Sequence, residues 1–134
     1  MHLGPLTLAD LSILGAVVAY MAPIAIAKYG ALKTFDNEKP RDPAFYQDPF
    51  RARALGAHQN GLEGFAFFVA AVVIAQLRDA PQHLVDSLAI GYVALRFAYA
   101  AAYLAGAGKL RSAIWGLGFL LNVLLFLSPW SATR

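Results

Sequence analysis

The sequence contains no cysteine. Disulfides, thiolate metal ligands and a thiol nucleophile supplied by the protein are excluded at once. Charge is also scarce. Asp, Glu, Lys and Arg make up 14% of the residues, against about 25% in ordinary soluble domains. Apolar residues take their place, at 59% of the chain. A soluble fold of 134 residues has too little interior to hide that much apolar surface, so the expected solvent is lipid. The net charge of +3 is small and the basic residues gather beside apolar runs, so no nucleic-acid partner is expected. No basic segment precedes the first apolar run and several apolar runs follow it, so a cleaved leader is not expected either.

A hydrocarbon core about 30 Å thick needs about 20 apolar residues of helix. Four stretches come close, at 8–27, 54–77, 84–105 and 112–127. The expectation is one domain over residues 1–134, an all-α integral membrane four-helix bundle. Thr7 and Asp10 have the spacing of a capping box at the first start. Pro23 is expected to kink that helix and Lys28 closes it. Trp115 and Trp130 lie near the ends of the fourth, where interfacial aromatics belong. The link from Lys28 to Arg53 is long and rich in Pro and Asp, while the other two are short. The second, third and fourth helices should therefore be antiparallel neighbours.

Lys28, Lys33, Lys39, Arg41, Arg51 and Arg53 fall in the first link, and Lys109 and Arg111 in the third. The opposite side has only Arg78 and Arg134. The positive-inside rule places the first and third links in the cytoplasm and both termini outside it.

At 100° per residue, Arg53, Gly56, Asn60, Glu63 and Phe67 share one face of the second helix, with His58 opposite. Tyr92, Arg96, Tyr99 and Tyr103 share a face of the third. Glu63 and Arg96 each lie about ten residues from the cytoplasmic end, or about 15 Å deep. Tyr99 comes level with Asn60, and Tyr103 with Gly56. A lone charge at that depth costs about 2.5–3.5 kcal/mol. The expectation is a Glu63–Arg96 ion pair, completed by Asn60 and the tyrosine hydroxyls. Such a pair is either a clasp that sets helix register or part of a ligand site.

Tyr99, Tyr103 and Arg111, nearer the interface, read as ligand-binding residues, and Tyr92 as packing. Asn122, alone in the fourth helix, reads as an interhelical hydrogen bond. His58 reads as a satisfied or interfacial side chain, and His2 and His83 as surface residues. Ala94, Ala98, Ala102 and Gly106 recur every four residues, a seam for close packing either within the chain or between copies. The sequence offers no metal cluster, phosphate loop or nucleophile triad.

The stretch "RALGAHQNGLEGFAFFVAAVVIA", with "LRFAYAAAYLAGAGKLRSAIW" after it, resembles the MAPEG superfamily, the membrane-associated proteins of eicosanoid and glutathione metabolism. The first link, "YGALKTFDNEKPRDPAFYQDPFRARA", resembles that of small bacterial members. The resemblance rests on Asn-x-x-Glu in the second helix and Arg-x-x-Tyr-x-x-x-Tyr in the third. It implies a left-handed four-helix bundle in a homotrimer of the bacterial inner membrane, with active sites between subunits near the cytoplasmic face.

It also implies glutathione as co-substrate, used by a transferase or peroxidase against a lipophilic electrophile or hydroperoxide, without a metal. Carried over by position, Asn60 and Glu63 would hold the glutathione backbone, with Glu63 on its ammonium group. Tyr99 and Tyr103 would donate hydrogen bonds, Arg53 would face the carboxylates, and Arg111 would stabilise the thiolate. Gly56 stands where glutathione-using members often carry an arginine, and Arg53 lies one turn earlier. The alternatives are a non-enzymatic lipid-binding scaffold on the same fold and a small proton-coupled exporter. Against the exporter, Arg96 at the depth of Glu63 would keep the carboxylate ionised, whereas a proton carrier must protonate near neutral pH.

Overall fold

Helix is the only regular structure among the described residues, 4–133, of this computed structural model. His2 and Arg134 lie outside the described residues. The chain forms α1 (Leu8–Tyr29), α2 (Pro49–Leu77), α3 (Gln82–Leu104) and α4 (Gly108–Leu127), with 3₁₀ turns at Pro43–Gln47 and Ser128–Thr133. All four α-helices are long and apolar enough to cross a membrane.

Three helices start earlier than the apolar runs imply, α3 by only two residues, at Gln82. α2 begins at Pro49, five residues ahead of the expected start, because Asp48 and Pro49 form a start signal in polar sequence. The Asp48 carboxylate accepts from the Arg51 amide at 3.0 Å, and proline at the first position forfeits only a donor that has no helical partner. α4 begins at Gly108, four residues early. Hydropathy marks the part of a helix that suits lipid. The helix itself runs on into the interface.

The end of the bundle that carries the α1 start is stitched by polar groups. The capping box forms: the Thr7 amide donates to Asp10 Oδ2 at 2.8 Å and the Asp10 amide donates to Thr7 Oγ1 at 3.2 Å. Gln76, in the last turn of α2, donates to Thr7 Oγ1 at 2.7 Å and to Asp10 Oδ1 at 3.2 Å. Asp86 of α3 accepts from the Ala9 amide at 2.8 Å. Helix amides that would otherwise lack partners are thus met by carboxylates, which the helix dipole favours at this end. α1 then continues through the buried Pro23.

The core is small-residue packing around a few large side chains. Ala9, Ala16, Ala71, Ala75 and Ala89 surround Phe68, Val72, Val85 and Leu125. Larger apolar residues such as Leu14, Val18, Leu117 and Leu120 are exposed. Small residues inside and large ones outside suit a bundle whose solvent is lipid. α1 and α2 approach closely at Gly61, where a Cβ would strike Tyr20, including its Cα at 3.2 Å. The seam on α3 is interrupted: Ala94 and Ala98 are exposed, Ala102 is buried within the chain, and Gly106 lies past the helix end at φ +76°.

The α1–α2 link is ordered by its own aromatics. Phe45 is buried and makes edge contacts with Phe35 at 5.1 Å and Tyr46 at 5.0 Å between ring centroids. Lys28 lies over the Phe35 ring at 4.9 Å, and Arg51 over the Phe45 ring at 4.5 Å. Two of the basic residues that signal topology therefore also hold the link in place.

Candidate functional site

α2 and α3 meet face to face in the register expected from depth. At the link end, Arg53 Nε donates to the Leu104 carbonyl at 2.9 Å, satisfying one of the free carbonyls at the end of α3. One turn deeper, the Tyr103 hydroxyl occupies the space a Cβ at Gly56 would need. A further turn down, Arg96 Nη2 donates to Asn60 Oδ1 at 3.0 Å. Deepest, the Tyr92 hydroxyl donates to the Gly64 carbonyl at 3.4 Å, and its ring stacks on Phe68 at 4.3 Å. Tyr92 is packing, as expected.

One expectation is overturned. No Glu63–Arg96 ion pair forms among the described residues. Arg96 gives its hydrogen bond to Asn60 and lays its guanidinium over the Tyr99 ring at 4.5 Å. Asn60 lies one helical turn nearer the link end than Glu63, on the side where the Tyr99 ring also draws the cation. Glu63 is exposed and has no hydrogen-bond or ion-pair partner among the described residues.

Glu63 and Arg96 do share a cleft of about 190 Å³ between α2, α3 and α4. Asn60, Glu63, Gly64 and Phe67 line it from α2, Tyr92 and Arg96 from α3, and Trp115, Phe119 and Asn122 from α4. Trp115 stacks on Phe119 with ring centroids 5.5 Å apart and planes at 10°. Trp115, Phe119 and Asn122 are the part of the cleft that sequence reasoning missed. The signal was present, because spacings of four and three put them on one face of α4. Asn122 is 2% exposed and its Oδ1 has no hydrogen-bond partner among the described residues, so the expected interhelical bond does not form among them.

The remaining expected residues lie outside that cleft, towards the link end. Tyr99 is buried and meets Tyr103 edge-on at 5.7 Å. Arg111 sits with its guanidinium 4.3 Å from the Tyr103 ring centroid. Arg53, Tyr103 and Arg111 thus gather one to two turns above the cleft. The hydroxyls of Tyr99 and Tyr103 make no hydrogen bond among the described residues.

His58 faces the other way, as the helical wheel requires. Its Nδ1 is 2.8 Å from the Tyr20 carbonyl, so that nitrogen carries the proton and donates. His83 is exposed. A second cleft, of about 640 Å³, opens beside His58 between α1, α2 and the link, with Lys28, Arg41 and Tyr46 among its lining. Burial raises the pKa of the Tyr46 hydroxyl and Arg41 acts against the rise, so Tyr46 is neutral at physiological pH. Among the described residues no three His, Asp or Glu side chains are grouped to hold a metal ion.

No curated protein and no solved structure matches this chain significantly. A family model does: the one described as MAPEG family matches residues 8–130. Its match takes in all four apolar helices, the ordered link and both motif-bearing faces, so this four-helix integral membrane protein belongs to the MAPEG family.

Proposed function

We propose that the protein is a glutathione-dependent transferase or peroxidase acting on lipophilic electrophiles or hydroperoxides. The observation that carries this reading is Glu63, a carboxylate without a partner among the described residues that shares a cleft with the Arg96 guanidinium and Asn60. A peptide with an ammonium group and carboxylates complements that set. Glu63 takes the ammonium. Asn60, with Oδ1 already used, donates through Nδ2. Tyr99 and Tyr103 donate through their hydroxyls. Arg53, which uses only Nε on Leu104, turns its other nitrogens to a carboxylate.

From Glu63 to Gly56 is about 10 Å along the helix axis. An extended tripeptide spans about the same length. A peptide anchored at Glu63 therefore reaches Tyr103 and Arg111. A guanidinium beside its thiol lowers the thiol pKa and raises the thiolate fraction. Holding that thiolate against a lipophilic partner in the apolar walls adds proximity.

Glu63 is exposed on the single chain, which fits a site closed by a neighbouring copy. We place the sites between subunits of a homotrimer, surrounded by membrane lipid. We read the membrane as a bacterial inner membrane and put the site near its cytoplasmic face, with both termini on the other side, a reading supported by the basic residues of the first and third links.

Calorimetric titration of glutathione into the purified protein tests the reading. Saturable binding is expected, and it should be lost in Glu63→Gln. Absence of binding by a folded wild type refutes it.

A lipid-binding scaffold is the second reading. The aromatic wall of Trp115 and Phe119 favours it, as does the position of Arg111 outside the cleft. It predicts lipid binding without glutathione turnover. The exporter reading lacks the support of family membership, and Arg96 lines the same cleft as Glu63 although the two form no ion pair among the described residues. Proton-driven transport in liposomes would establish it.

A further inference from the structure

Asn122 is the one buried side-chain polar atom left without a hydrogen bond among the described residues, through its Oδ1. The residue is 2% exposed, and it lines the cleft between α2, α3 and α4. It lies about 16 Å along α4 from Arg111, well into the span. Lipid offers no donor there. Among the described residues neither Arg96, whose Nη2 goes to Asn60, nor Tyr92, whose hydroxyl goes to Gly64, donates to the Asn122 Oδ1. Leucine would fill this position without a stranded acceptor.

We infer that Asn122 reads a hydrogen-bond donor on the lipophilic partner, so that the cleft selects lipids bearing a hydroxyl or hydroperoxide group over those without one. The walls around Asn122 include Phe67, Trp115 and Phe119, which suit a hydrocarbon chain. The acceptor among them is neutral, so it calls for an O–H group and not a cation. A buried acceptor that must be paired discriminates against a ligand that leaves it unpaired. The inference rests on reading this cleft as the site for the lipophilic partner. It narrows that partner towards the hydroperoxide branch, because an epoxide or halide has no donor to give.

The test compares decanol with decyl methyl ether, which differ in the O–H group. Binding to the protein in lipid nanodiscs is followed by Trp115 fluorescence, with Trp130→Phe removing the other indole. Wild type should hold the alcohol about tenfold more tightly than the ether, the worth of one good neutral hydrogen bond. Asn122→Leu should abolish the preference while raising the midpoint of thermal unfolding, since it removes a stranded acceptor. A residue that served only the fold would lower the midpoint instead.

Equal binding of alcohol and ether by wild type overturns the inference but leaves the cleft as a lipid site. Binding of neither overturns both. If Asn122→Leu keeps the preference, the donor is read elsewhere and the inference fails. If it does not fold, the wild-type comparison still decides. Loss of glutathione affinity in Asn122→Leu, with the alcohol preference intact, would assign the acceptor to the peptide and refute the proposal.

Discussion

Gly56 offers a quantitative check on how α2 meets α3. A Cβ placed there would strike the Tyr103 hydroxyl and approach Cζ to 2.8 Å and Cε1 to 3.2 Å, so any side chain forces the ring to move. The ring is held by Arg111 at 4.3 Å and by the edge contact with Tyr99 at 5.7 Å. The first contact is worth about 0.5–1 kcal/mol and the second about 0.5–1.5 kcal/mol, so displacing the ring forfeits about 1–2.5 kcal/mol. Alanine in place of a helical glycine returns about 0.5–1 kcal/mol.

Gly116→Ala is the control, because nothing lies within 4 Å of a Cβ there. It should stabilise by about 0.5–1 kcal/mol. Gly56→Ala should fall below it by about 1–2.5 kcal/mol in reversible unfolding in mild detergent. On a Tyr103→Leu background, Gly56→Ala should lose most of that deficit, because the two sites are in contact. Equal effects of the two alanine substitutions would refute the geometry. The same contact implies that Gly56→Arg pushes Tyr103 out of place and does not simply add a cation.

Other outcomes follow from the same structure. Gly61→Ala should be the most damaging of the glycine substitutions, by about 1–3 kcal/mol in the same unfolding assay, because its neighbour is the α1 backbone at Tyr20 and not a side-chain tip. A double-mutant cycle of Asn60→Leu with Arg96→Met should show coupling of about 1.5–3 kcal/mol, the worth of a hydrogen bond to a charged group. The cycle of Glu63→Gln with Arg96→Met should show a much smaller coupling, since the two make no direct bond. Glu63→Gln alone should leave the unfolding midpoint of a detergent-isolated single chain nearly unchanged, yet weaken glutathione binding by calorimetry. Reporter fusions should place both termini away from the cytoplasm, and a cytoplasmic signal from either end would overturn that orientation.

Much of this was legible in the residues. Lipid demands about 20 apolar residues per helix, so the spans stood out without any structure. The Thr7 and Asp10 cap has a fixed local spacing, and it formed as read. A period of 3.6 residues put Asn60 and Glu63 on one face and His58 on the other, and depth counting matched Tyr103 to Gly56. These features depend only on the chain's own helical geometry.

The partners did not follow from it. Periodicity specifies face and depth, but Arg96 has a reach of several ångströms and could meet either Glu63 or Asn60. Tertiary packing sent it to Asn60, over the Tyr99 ring, and left the carboxylate free. The starts of α2 and α4 were misjudged because hydropathy senses lipid while helix ends are set by caps and links. The cleft itself needed a third helix. Only when α4 packs beside α2 and α3 do Trp115, Phe119 and the unsatisfied Asn122 come to the same place as Glu63, across a chain separation that no local pattern can encode.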